Sequence, residues 1–423
     1  MKIMVISNLY PPYYLGGYEL GCKSIVNGLV KRGHDVVVLT SPSHVPEEKI
    51  SQSDQSSPVI LRRLQLKSFQ PINSPHENVL KVNHLEAMLT NYANTAMVLD
   101  AIQEYKPDCV YLFNLVGIGG LAILDALNSI SAPWVLHLMD RAPETLQFGF
   151  SKDVLSIFNA QNGNLYKHGK IISMTKHLVD EIELLCKFTF SNKIDLVPGW
   201  VDIEKTFFKR EYTRSEKLRF VTAGAVQSHK GIDIIVETAA LLRKNRVENF
   251  NIEIYGDGNI AYYVDLAKQY GVSDLVSFLG PRTQPELIDI YKASDAFLFP
   301  TWEREPFGFA PIEAAAVGCI PIITATCGAA ERLVGNVHCL KIERSAASLF
   351  ETLRRFCRHE IDVERIGTNA QVITREDLHF DTCLEQVESI LNDVMKSKVI
   401  KEPSWMDINR TYLKHNLSVK LFS

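Results

Sequence analysis

A chain of 423 residues is long for a single core and suits two domains. With 46% hydrophobic and 22% charged residues it has the composition of an ordinary globular protein, and a net charge of −4 excludes an overall pull towards nucleic acid. No stretch approaches the roughly 18 uninterrupted apolar residues of a spanning helix, and the opening strand lacks the layout of a signal peptide. The eight cysteines form no Cys-x-x-Cys pair and sit mostly in apolar runs, which predicts reduced thiols, a cytoplasmic chain and no zinc site.

Residues 2–7 read as a buried strand. A shaped loop follows, with Pro11, Pro12, Gly16 and Gly17, and then a helix with Leu20, Ile25, Val26, Leu29 and Val30 on or near one face. Gly33 ends the helix and a second strand runs to residue 40. Strand, glycine-containing turn, helix and strand make a βαβ unit, so a parallel sheet is expected. Ligands of such sheets bind at the carboxyl ends of the strands, where Gly16 and Gly17 stand; a plain tight turn explains those two glycines equally well. Residues 41–58 read as a surface loop, and 77–105 as one long helix with Leu85, Leu89, Tyr92, Ala96, Leu99 and Ile102 at helical spacing. Strands are expected at 109–113, 134–138 and 171–173, with helices near 121–128 and 176–186; residues 141–168 carry no clear signal. His137 fits a core histidine as well as a site residue, and Asp140, at the strand end, is the better candidate. The polar run 205–216 reads as an interdomain linker.

The alternation then repeats. A strand at 218–224 leads to a turn with Lys230 and Gly231, a helix at 233–244, and a strand ending in Gly256-Asp257-Gly258. Helix, strand, helix and strand bring the chain to Phe299 and Pro300. Next comes an acidic loop with Glu305 and Gly308, then a slim helix with Pro311, Glu313 in its first turn and three alanines. Gly318 ends that helix before a buried strand at 320–323. Exposed N–H groups at a helix start attract an anion, Gly308 admits a ligand close to the backbone, and carboxylates accept from sugar hydroxyls. A sugar diphosphate suits all of these parts, although the two glutamates alone fit an acidic surface loop about as well. The small residues at 326–331 leave room for phosphate, and helices fill the remainder. Leu384, Val387, Ile390, Leu391, Val394 and Met395 trace one apolar face, and the basic and aromatic tail beyond residue 396 reads as surface-docked in preference to membrane-anchored.

The block Glu305-Pro306-Phe307-Gly308, four residues, Glu313-Ala314, then Gly318 and Pro321, resembles the Glu-x7-Glu motif of retaining GT-B glycosyltransferases, most closely glycosyltransferase family 4. Pro11-Pro12 through Gly16-Gly17, Gly224 with Lys230-Gly231, and Gly256-Asp257-Gly258 resemble further motifs of that family. The resemblance implies an α/β GT-B fold, two Rossmann-like doubly wound parallel-sheet domains facing across a cleft. They would span 1–204 on the acceptor side and 216–377 on the donor side, with a helix and tail at 378–423 able to pack back on the first domain. It implies a retaining transferase using a nucleotide-diphosphate sugar, with no metal and no cofactor beyond that donor. Glu305, Lys230 and Asp140 would carry catalysis. Glu313 would hold the ribose, and Phe307, Gly308, Phe309, Gly16, Gly17 and Gly256 would line the donor. The acceptor would be a glycan, a lipid-linked sugar or a small molecule, with no nucleic acid partner and at most weak peripheral membrane contact. The sequence departs from the family at Ala225, which stands at a phosphate-binding Arg position, at Met139, which stands at a His position, and at Gly199-Trp200 and Ala329. Alanine cannot supply the bidentate contact of a guanidinium, and His229 or Arg304 are candidates to compensate. An epimerase on the same scaffold, or a binding protein with weakened catalysis, are the alternatives.

Overall fold

A computed structural model describes residues 1–42, 58–67, 76–190, 194–204, 207–212, 217–396 and 400–422. The chain divides into two units, Met1–Val197 with Leu384–Ser423, and Pro198–Cys383. Each has the Rossmann-like parallel sheet expected of the GT-B fold.

The first unit holds β1 (Lys2–Ile6), β2 (Asp35–Thr40), β3 (Val59–Arg62), β4 (Cys109–Leu112), β5 (Trp134–Leu138), β6 (Lys170–Ser173) and β7 (Ile194–Leu196) in the order 3-2-1-4-5-6-7. All neighbours are parallel. Buried on both faces, the central strands are continuous apolar runs such as Ile3-Met4-Val5-Ile6 and Val36-Val37-Val38-Leu39. The β3 strand was not expected, because Val59 and Ile60 follow a polar stretch; it pairs in register with β2, Val37 opposite Val59. Most of the predicted surface loop, residues 43–57, lies outside the described residues.

One expected helix is two, Glu77–Met88 and Tyr92–Tyr105. The apolar spacing runs through the break, but Asn91 caps the second helix by accepting from the Asn94 N–H at 3.1 Å. The carbonyls of Ala87 and Leu89 at the break accept from the N–H groups of Gly119 and Ala122 at 2.9 Å each, so they serve the start of the helix Gly120–Ser129. The C-terminal helix Trp405–Phe422 belongs to this unit, with Ile408, Val419 and Phe422 against its core and the Lys414 ammonium 2.7 Å from the buried Asp125.

The second unit holds β8 (Leu218–Ala223), β9 (Phe250–Tyr255), β10 (Val276–Gly280), β11 (Ala296–Phe299), β12 (Ile320–Thr324) and β13 (Leu340–Ile342), in the order 10-9-8-11-12-13, again all parallel. Only β13, three residues long, escaped the sequence reading. Three boundaries differ from expectation. Residues 198–204 go with the second unit because Val201 bridges His379 and Trp200 packs 5.7 Å from Phe309 and 5.8 Å from Phe380. For the same reason the segment that joins the first unit starts at Leu384 and not at 378. Of the expected linker, residues 205–206 and 213–216 lie outside the described residues, while 207–212 are strapped onto the second unit. There Arg210 donates to the carbonyls of Tyr291, Lys292 and Ser294, and the Tyr212 hydroxyl donates to Gly318 O at 3.2 Å.

Candidate active site

In the second sheet the strand order reverses between β8 and β11. Loops leaving adjacent strands at such a point diverge and open a crevice at their carboxyl ends. Here the loops are tied together at their base. The turn Ser228–Lys230 follows β8; its His229 carbonyl accepts from the Trp302 N–H at 2.9 Å and from the Thr301 hydroxyl at 3.3 Å, both on the loop after β11. The tie brings Lys230 to Glu305. Their side chains form an ion pair, and the Thr301 hydroxyl donates to the same Glu305 oxygen at 3.1 Å. The Lys230 ammonium also lies 5.5 Å from the Phe299 ring centroid.

Gly308 closes the loop and caps the helix Phe309–Ala316. Its φ of +99° is unfavourable for any other residue, and an added Cβ would stand 2.8 Å from Cε1 of Phe299. Pro311 is the third helical residue, where a missing N–H leaves no helical bond unmade. Glu313 is the fifth, so it lies in the second turn and not the first. It is half-buried, and Gln284 Nε2 donates to it at 2.9 Å. Burial raises its pKa, and the Gln284 bond opposes the rise.

The side chains of the other predicted site residues in this unit pack as follows. Phe307 is buried, its ring filling the space beside Gly199, where any Cβ would clash. Phe309 is half-buried between Trp200 and Phe307, the latter 5.8 Å away. Gly256 has φ +140°, and a Cβ there would run into the Gly224 carbonyl, so the turn after β9 leans directly on the turn after β8. The small residues read as room for phosphate hold the acidic loop itself: Gly328 N–H donates to Glu305 O at 3.0 Å and Ala329 N–H to Phe307 O at 2.7 Å. Arg304 is exposed, its guanidinium 5.8 Å from the Trp302 ring, which lies 5.0 Å from His229. Sequence reasoning missed Arg344, which follows β13 and donates to Ser228 O at 2.6 Å, bracing the Lys230 turn. An exposed arginine after an unrecognised strand gave no signal.

Gly16, Gly17 and Asp140 belong to the first unit. Gly16 precedes the helix Gly17–Lys31, and a Cβ there would meet nothing within 4 Å. The buried Glu19 accepts from the N–H groups of Leu15 and Gly16 at 3.2 and 3.1 Å. Tyr18 donates to His137 O at 2.6 Å. His137 is a core histidine, fully buried with Nδ1 2.7 Å from the Tyr111 hydroxyl, and burial pulls its pKa down to about 3. Asp140 follows β5; burial pushes its carboxyl up to about 6, the Ala142 N–H opposes this, and Glu19 adds to it. Its Oδ1 is shut off from solvent and meets no hydrogen-bond donor among the described residues. No group of three or more His, Cys, Asp or Glu able to hold a metal occurs among the described residues.

Residues 204–372 match the family model for glycosyl transferases group 1. The match covers most of the second unit. An uncharacterised glycosyltransferase of Methanocaldococcus jannaschii is 24% identical over 367 residues, covering 80% of this chain and 84% of that protein. Among solved structures, a glycosyltransferase from Rickettsia africae superposes with a TM-score of 0.70 at 16% identity, over 94% of this chain and 99% of that one. HepE of Anabaena, in complex with UDP-glucose, superposes with a TM-score of 0.62 at 17% identity, over 93% of this chain and 100% of that one. These likenesses establish the fold; the segment that matches the family model lies within the unit that holds Lys230, Glu305 and Gly308.

Proposed function

We propose that the chain is a retaining, metal-independent glycosyltransferase that takes its sugar from a nucleotide-diphosphate donor seated on the second unit. The observation that carries this is the Lys230–Glu305 ion pair at the switch point of the second sheet, beside the start of the helix Phe309–Ala316. A cation, a helix start and a left-handed glycine converge where an anion is best received. The UDP-glucose held by HepE of Anabaena supports the donor class.

Without donor, Glu305 neutralises Lys230. A diphosphate competes for the ammonium, and the displaced carboxylate is then free to accept from a sugar hydroxyl. As the bond to the sugar's anomeric carbon breaks, negative charge grows on the leaving diphosphate. Lys230 and the N–H groups of Phe309 and Ala310 stabilise that charge more than the ground state, which lowers the barrier. Glu313, one turn further, accepts from the ribose. Arg304 and Arg344 stand in for the cation that Ala225 does not supply.

Calorimetric titration with UDP-, GDP-, ADP- and TDP-sugars, in EDTA, tests the reading. One donor is expected to bind, at least tenfold more weakly in Glu313→Ala. Binding of none, or binding only after a divalent cation is restored, contradicts it.

A further inference from the structure

Resting on the reading above, the acceptor seat can be given a chemical class. At the carboxyl ends of β1 and β4, residues 7–16 and 113–119 carry no charged side chain. Beyond β5, the Arg141 guanidinium pairs with Glu181 at 3.2 Å. Beyond β6, the Lys176 ammonium is 2.7 Å from Asp180 Oδ1. Arg62, at the end of β3, donates to the carbonyls of Tyr10 and Pro11 at 3.2 and 2.8 Å and so shapes the loop instead of facing a ligand. Among the described residues of the loops after β1, β4, β5 and β6 the charges left are carboxylates, Glu19, Asp140 and Glu144, and they act on one another: Glu19 and Glu144 both raise Asp140.

Two independent features point to a ligand. Asp140 Oδ1 is buried without a donor, an unpaired acceptor that a hydroxyl would satisfy. Gly16 has an extended φ of −173° and open space where a Cβ would be, so the fold itself does not require glycine there. Beside it Tyr14 is 49% exposed and Leu15 58% exposed, an apolar ledge of the kind on which the C–H face of a sugar ring lies. A phosphate brought to this rim meets carboxylates and no unpaired cation among the described residues of the loops after β1, β4, β5 and β6.

We propose that the first unit receives an uncharged saccharide, ring face on Tyr14 and a hydroxyl towards Asp140, and discriminates against a phosphorylated acceptor. The test uses the full chain and matched probes, glucose with glucose 6-phosphate and maltose with maltose 1-phosphate, read by saturation-transfer NMR and competition in the presence of UDP. The neutral member of at least one pair is expected to bind tenfold or more tightly than its phosphate. Tyr14→Ala is expected to weaken that binding at least fivefold. The preference is expected to narrow in Glu144→Gln, which leaves Asp140 in place. A phosphorylated probe that binds as well as its neutral partner, or neither member of any pair binding, overturns the proposal. UDP is read in the same samples: loss of UDP binding speaks against the donor reading, and acceptor failure with UDP bound speaks against this inference alone.

Discussion

Asp140 and His137 are three positions apart, and burial shifts them in opposite senses. Unfolded, Asp140 ionises near 3.8; folded, near 6. Between these values the folded state holds more protons, so its contribution to stability is fully present below about pH 4 and falls as pH rises through 6. The loss is about 2 kcal/mol, from a shift of about two units at 1.36 kcal/mol each, less solvent screening. His137 behaves conversely: its folded pKa of about 3 against 6.5 unfolded removes stability as pH falls below 6.5. Asp140→Asn deletes only the first effect. Its thermal midpoint is expected to exceed the parent's at pH 7.5 and to match it at pH 4, in scanning calorimetry at both values; an equal change at both would mean that Asp140 does not titrate in the fold. Proximity to the sheet's carboxyl end identified Asp140 as the candidate, but its environment was not legible: burial, the main cause of the rise, comes from the fold, and Glu19, which adds to it more than the nearby Glu144 does, is more than a hundred positions away in the chain. Lys230 and Glu305 were legible singly, whereas their pairing depends on the His229–Trp302 tie.

At the scale of elements, glycines separate what the fold needs from what a ligand needs. Gly256→Ala drives a methyl into the Gly224 carbonyl at a backbone angle alanine resists, so it is expected to destabilise by at least about 2 kcal/mol in denaturant titration. Gly16→Ala meets no neighbour, so stability is expected to stay within about 0.5 kcal/mol while acceptor turnover falls. A stability loss as large as that of Gly256→Ala would place Gly16 in the scaffold instead. Asn91→Ala removes a helix cap and is expected to lower stability by about 1 kcal/mol. Most elements were readable because the central strands are unbroken apolar runs and the helices keep their period. The break at residues 89–91 was not, since apolar spacing continues through it and only the partners of Ala87 and Leu89 reveal its use. Nor were β3, β7 and β13, short edge strands whose pairing supplies what their sequences lack.

For the molecule as a whole, the second unit is continuous in sequence and the first is completed by the chain's last segment. Lys414 carries part of that completion, because Asp125 is buried and retains only Arg410, at 3.8 Å, once Lys414 is gone. Lys414→Ala is expected to cost about 1–2 kcal/mol, less than a fully orphaned buried charge, and to leave donor binding by the second unit unchanged. The two-unit division followed from length and from the repeated alternation of strands and helices. The return of the last segment to the first unit was expected from the family resemblance alone, because an amphipathic helix shows that it is covered without showing by what.

The measurement that bears most directly on the donor site compares UDP with UMP, and GDP with GMP, on the parent chain and on Lys230→Met. If Lys230 and the helix start of Phe309–Ala316 receive the outer phosphate, the preferred diphosphate binds the parent at least tenfold more tightly than its monophosphate, and Lys230→Met shrinks that gap several-fold while monophosphate affinity holds. Equal affinities in the parent, or a Lys230→Met variant that keeps the full gap, would contradict the assignment of the diphosphate to this site.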